Sequence, residues 1–188
     1  MQPVAVSEIR NLAEYELERE HWRPRMIALK DRRRIRAGEH LTFLFENRDT
    51  VRYQIQEMLR IERIVKPAEV AREVATYNEL IPGVSELSAS LLIEYETQGE
   101  RDVHLRELLG LEDHVWLAVG ALPPVKARFD RRQISAGRIS SVQYVKFSLT
   151  PDQASQFPHG ARLIVDHPHY QAEHALSPSE LTELALDL

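Results

Sequence analysis

The sequence predicts an α/β or α+β fold: a helical N-terminal half packed on a mixed sheet of about five strands. Three observations lead there. Up to residue 83 the apolar residues fall mostly at helical spacing. From residue 84 the rhythm changes to short apolar strands separated by brief helical stretches. The chain has 188 residues, 43% hydrophobic and 28% charged, which is enough for one domain with its own core. We therefore expect a single domain over 1–188, mainly helical through 83 and built of strand–helix–strand units over 84–188.

The elements follow in order. Ser7 is placed to cap a helix through EIRNLAEYELEREHW, with Ile9, Leu12, Tyr15 and Arg19 at helical spacing. Arg23-Pro24 should break or kink it. RMIALKDRRRIRAG reads as a second, basic helix over 25–37 that stops at Gly38. LTFLF is a strand with Leu41, Phe43 and Phe45 on one face. Asp49 should cap a helix over 50–65 whose core stripe is Val51, Ile55, Met58 and Leu59. Pro67 suits the first position of the next helix, which carries Val70, Val74, Tyr77 and Ile81 on one side and ends at Pro82-Gly83.

In the second half SASLLIEYE (88–96), HVWLAVG (114–120), SVQYVKFSL (141–149) and ARLIVDH (161–167) read as strands. RDVHLRELLG (101–110) is a short helix ending at Gly110, and ALPPVKARFDRR is a linker. Thr150-Pro-Asp-Gln153 and Ser177-Pro-Ser-Glu180 are capping boxes that open two more helices. Strand–helix–strand thus occurs twice, over 88–120 and 141–167, as a βαβ-like pseudo-repeat in pattern.

Composition narrows the function. With no cysteine the chain has no disulfide, thiolate nucleophile, zinc ribbon or cysteine-held iron–sulphur cluster. No apolar run is long enough to span a bilayer, and the N-terminus has no basic region followed by an apolar one. The expectation is a cytoplasmic protein without a membrane role. The net charge of −5 is unevenly spread. Residues 19–40 hold eight basic against three acidic residues, and residues 150–188 hold six acidic against one basic. These two segments can pair within the chain or face partners. The basic stretch lacks interleaved aromatics and the pI is about 5.9, so no nucleic-acid partner is expected.

The densest polar stretch is the strand-to-helix junction LFENRDTVRYQIQEMLRIERI. Tyr53, Glu57 and Arg60 share a helix face away from the core stripe. Arg48, Asp49 and Arg52 surround a helix N-terminus, where backbone N–H groups favour an anion. The junction is therefore a candidate ligand or partner site, with Glu57 as the general base of any catalysis. The alternative is a solvated or interdomain face of ion pairs. Tyr77 and Asn78, near the end of the following helix, are further binding candidates. His167 and His169 are two apart with Asp166 and Glu173 nearby, a spacing that could hold a divalent metal, although Pro168 between them favours a polar turn. The sequence contains no dinucleotide fingerprint, P-loop, nucleophile elbow or zinc-protease motif, and no cofactor is expected.

The segments FLFENRDTVRYQIQEMLRIERI, YNELIPG, SSVQYVKFSLTPDQ and VDHPHYQAE resemble an uncharacterised bacterial family, classed as a domain of unknown function. The resemblance covers residues 40–185, and 44–64 is its most distinctive part. Members of that family are often encoded beside rubrerythrin-like di-iron proteins and iron–sulphur oxidoreductases. The family has no assigned reaction, so no residue role is carried over. The resemblance implies a redox or oxidative-stress setting. The leading expectation is a non-enzymatic partner of an iron-dependent redox system, docking through the basic helix 25–37, the junction 46–63, or both. A small-molecule (anion) binder or enzyme with its pocket at 46–63, and a histidine-based metal binder, are the alternatives.

Overall fold

The structure, a computed structural model, describes residues 1–134 and 137–188. It is of the α/β class with a helical N-terminal part, and its strands form two sheets. The five-stranded sheet has the order β1 (Arg34–Ala37), β2 (Leu41–Glu46), β3 (Glu86–Ile93), β7 (Val142–Ser148), β6 (Arg128–Phe129). The four-stranded sheet has the order β5 (Val125–Lys126), β4 (Val115–Val119), β8 (Ala161–His167), β9 (Tyr170–Ala175). Every pairing among the described residues is antiparallel. The expected mixed sheet is thus replaced by an antiparallel sandwich.

The two strand–helix–strand units explain the difference. In the first, α4 (Gln98–Glu107) leads from β3 in one sheet to β4 in the other. In the second, α5 (Pro151–Gln156) leads from β7 to β8 in the same way. Both units cross between sheets, where a parallel pair would need a return to the same sheet. The units also lie side by side: β3 pairs with β7, and β4 with β8. Ala127, buried between β5 and β6, is where the chain passes back from one sheet to the other.

Ile35, Phe43, Phe45, Leu87, Leu91 and Phe147 of the larger sheet meet Leu117, Leu163 and Val165 of the smaller one in the main core. A second core contains Val51, Ile55 and Leu59 of α2 (Arg48–Ile61) and Val74 of α3 (Pro67–Asn78), together with Val4, Leu80 and Ile81. Three of the four residues of the expected α2 stripe are fully buried there, and Met58 is half-buried.

The N-terminal region differs from expectation in three places. Helix α1 (Leu12–Arg32) is capped by Asn11, whose side chain accepts the Glu14 N–H at 3.0 Å, while Ser7 lies in a single 3-10 turn. The helix runs through Pro24, because Pro24 and Glu20, whose carbonyl loses its partner, are both exposed and open to water. RIRA is strand β1, not helix: Ile35 and Ala37 point inward, and Arg34 and Arg36 outward. Gly38, at φ +73, belongs to the three-residue hairpin turn that pairs Ala37 with Leu41. Further along, α2 is capped by Asn47 rather than Asp49. Pro168-His169 is a two-residue turn into β9, a strand that the polar composition hid.

The basic segment and the acidic tail do pair within the chain. Helix α6 (Pro178–Ala185) brings Glu183 to Arg32 at 2.9 Å and to Arg33 at 3.2 Å, and Asp187 closes on Arg33. Arg33 is fully buried, and its Nε also donates to the Phe45 carbonyl at 2.8 Å.

Candidate functional site

The junction residues do come together, but they face α1. Glu57 accepts from the Tyr15 hydroxyl at 2.6 Å and from Arg19 at 2.7 and 3.0 Å. Burial pushes the Glu57 carboxyl up, and these donors, Arg19 first, outweigh it and hold the group below the usual carboxylate range. Arg60 pairs with Glu16 at 3.1 Å. Arg52 lies over the Trp22 ring at 4.4 Å, and the buried Tyr53 ring faces Lys30. Arg48 is held by Glu8 at 2.5 and 2.6 Å and by the Gln2 carbonyl at 3.1 Å. Asp49 is exposed, and its N–H donates to Asn47. The polar face is a seam that fastens α1 and the N-terminal segment onto α2.

The histidine pair is engaged by the backbone. His167 Nε2 donates to the Leu109 carbonyl at 3.1 Å, and Nδ1 accepts the His169 N–H at 3.2 Å. With both ring nitrogens occupied, His167 has no lone pair to offer a metal. Among the described residues no group of three or more His, Asp or Glu is placed to hold a metal ion.

The open site lies between α3 and the β6–β7 side of the larger sheet, where a cleft of about 650 Å³ falls in the range of small-molecule pockets. Helix α3 supplies Glu73 and Tyr77, and Leu80 follows it. The sheet supplies Ser88, Phe129, Tyr144, Lys146 and Arg128, and the 3-10 turn after β6 supplies Arg131 and Arg132. Antiparallel register explains the grouping: Arg128 is opposite Lys146, which is opposite Ser88 on its other side. Neighbouring Asn78 turns away from the cleft, where its side chain accepts the Val4 N–H at 2.9 Å and donates to the Val4 carbonyl at 3.0 Å.

Two ion-pair clusters shape the walls. At the level of Lys146, the Glu86 carboxylate accepts from Lys146 at 2.9 Å, Arg128 at 3.2 Å, Ser148 at 3.1 Å and the Gly83 N–H at 3.1 Å. Burial raises the Glu86 carboxyl, and these donors, led by Lys146, bring it below the usual range. The other cluster sits at the level of Tyr144, whose carbonyl accepts the Asp130 N–H. There Arg132 is clasped by Asp130 at 2.9 Å and by Glu79. The Arg132 hydrogen bonds hold Asp130 below its ordinary value. Burial pushes both Tyr77 and Tyr144 up, so both phenols stay neutral donors.

Of the sequence candidates, Tyr77 lines this cleft, and Arg48, Arg52, Tyr53, Glu57 and Arg60 lie in the α1–α2 seam. Arg128, Arg131, Arg132, Tyr144 and Lys146 escaped the sequence reading, since they fall in a presumed linker and on a half-exposed strand. The signal available was the run of Lys126, Arg128, Arg131 and Arg132 within a few residues.

Fold and cleft define an α/β sandwich domain with a helical cover on one sheet. The chain belongs to the family described as Protein of unknown function (DUF3501), whose model matches residues 3–188. It is also similar to a crystal structure of a novel protein of unknown function from Burkholderia pseudomallei K96243, with 34% identity and a TM-score of 0.93 over 100% of both chains. No curated protein matches the sequence. No helix among the described residues is long and apolar enough to cross a membrane.

Proposed function

We propose that this protein is an accessory, small-molecule-binding component of an iron-dependent redox system. The cleft carries the binding part: it is open and of ligand size, and it combines Tyr77, Tyr144 and Phe129 surfaces with Arg128, Arg131 and Lys146. The redox setting rests on the resemblance described above. The test of binding is a thermal-shift screen of metabolites on the wild type and on Tyr144→Leu. A ligand at 100 times its Kd stabilises the folded state by about 2.7 kcal/mol. Hits that stabilise the wild type and lose their effect in Tyr144→Leu support the cleft. Hits that act equally on both proteins remove it.

A second reading, docking of a protein partner, is favoured by one observation. Pairing with the acidic tail uses Arg32 and Arg33, yet Arg23, Arg25, Arg34 and Arg36 stay exposed without an ion pair among the described residues. Arg34 and Arg36 lie on β1, the edge strand of the larger sheet. An acidic partner fits that edge. Capture of a di-iron or iron–sulphur protein from native cells at low salt, lost in Arg34→Glu/Arg36→Glu, is the expected outcome. Unchanged capture by the double variant refutes docking at this edge.

A further inference from the structure

The cleft's two ion-pair clusters carry opposite excess charge, which defines what they complement. Arg128 and Lys146 share one carboxylate, Glu86, so this side carries a surplus of positive charge, and Arg131 lines the same cleft. Arg131 makes no ion pair among the described residues and is exposed on the rim. Lys146 spends two of its three donors, on Glu86 and the Ile81 carbonyl, and Arg128 spends one of its five on Glu86. Donors therefore remain for an anion. The other cluster is the reverse. Glu79 and Asp130 clasp a single guanidinium, Arg132, and Glu73 adds a further carboxylate to the cleft lining. A second negative charge placed there meets like charge. Lys146 and Tyr144 are two residues apart on β7, so the two clusters are offset by roughly 7 Å along the strand. That distance is about the length of a fused-ring molecule, and Tyr77, Tyr144 and Phe129 line the same cleft.

We propose, resting on the binding role of this cleft, that its ligand is a small planar molecule with one anionic group at one end and a neutral or cationic group at the other. The anion sits on Arg128, Arg131 and Lys146, and the flat body lies along Tyr77 and Tyr144. Neutral phenols can donate to ring substituents or carbonyl groups of such a ligand.

Four probes test this by calorimetric titration of the full chain: naphthoate, naphthamide, a naphthalene dicarboxylate with acids at opposite ends, and inorganic phosphate. Wild type, Arg131→Ala and Tyr144→Leu are compared. Arg131 is exposed and makes no ion pair among the described residues, so its replacement leaves the fold intact. Naphthoate should bind about tenfold tighter than naphthamide, the size of one charge-assisted hydrogen bond. It should also bind tighter than the dicarboxylate and phosphate. Arg131→Ala should weaken naphthoate severalfold and leave naphthamide unchanged, and Tyr144→Leu should weaken both. If naphthamide equals naphthoate and both are lost in Tyr144→Leu, the anionic class is wrong and the cleft still binds. If the dicarboxylate binds best, the assigned charge polarity is wrong. If neither ring probe binds, or both bind Tyr144→Leu undiminished, the binding role and the ligand class fall together.

Discussion

Replacing Glu57 with alanine distinguishes a structural seam from a functional site at the α1–α2 junction. Tyr15 is fully buried, and its hydroxyl donates to Glu57 at 2.6 Å. Glu57→Ala leaves that hydroxyl without an acceptor, a loss of ~1–3 kcal/mol. The pair with Arg19, at 25% and 19% side-chain exposure, adds up to ~1 kcal/mol after solvent screening. The sum is ~1–4 kcal/mol, or roughly 2–16 °C in Tm for a chain of this size. Urea unfolding reads it as a lower midpoint at unchanged m. Glu57→Gln keeps an acceptor for Tyr15 and should cost only ~1 kcal/mol. In a Tyr15→Phe background the cost of Glu57→Ala should fall by ~1–2 kcal/mol, since the orphaned hydroxyl is gone. The acid side provides a second check. The folded-state carboxyl lies below its unfolded value, so its contribution is present above the unfolded pKa of ~4.3 and is lost as pH falls through the folded value. Glu57→Gln should therefore flatten the fall in stability below about pH 5. A Glu57→Ala protein within ~0.5 kcal/mol of wild type refutes the seam and returns Glu57 to the list of functional groups.

Three further outcomes follow from the packing. Arg33→Met strands Asp187, leaves Glu183 to Arg32 alone and frees the Phe45 carbonyl, and should destabilise by ~3–5 kcal/mol in chemical denaturation; a loss under ~1 kcal/mol means the C-terminal helix end relaxes away into water. Gly38→Ala puts a Cβ at φ +73 and against the Tyr170 hydroxyl, which itself bonds the Ala37 carbonyl at 2.7 Å and the His40 N–H at 3.0 Å. The expected effect is a Tm drop of several degrees, with an unchanged Tm counting against this hairpin geometry. Because both nitrogens of His167 are hydrogen-bonded, a chelator should leave the Tm unchanged, and a chelator-dependent drop reversed by zinc would show a histidine metal site.

Local signals were legible wherever one element decides its own structure. The α2 stripe of Val51, Ile55 and Leu59 is buried as its spacing required. The capping boxes at Thr150 and Ser177 open helices, and both have reciprocal side-chain and backbone bonds. Gly110 adopts a left-handed conformation just beyond α4. The opposite charges of the basic segment and the acidic tail anticipated the Arg32–Glu183 and Arg33–Asp187 contacts. Segment RIRA was hidden, since its two-residue alternation is short and embedded in a run of good helix formers. Only pairing with β2 makes it a strand. Strand β9 was hidden for a similar reason, as an edge with one polar face.

The sequence by itself determined the class of the fold, the position of most elements and the existence of a dense polar junction. All of these depend on spacing within one element or on total charge. It could not determine that both strand–helix–strand units cross between sheets, because the same strands satisfy parallel or antiparallel partners until the cores they bury are known. Nor could it determine which polar residues are free. Glu57 and Arg48 are consumed by residues 38 and 40 positions away, whereas Arg131 makes no ion pair among the described residues. The cleft draws on residues from 73 to 146 that only the packing of α3 on the sheet brings together. Whether a charge belongs to a seam or to a site is decided by its distant partners, and those exist only in the folded chain.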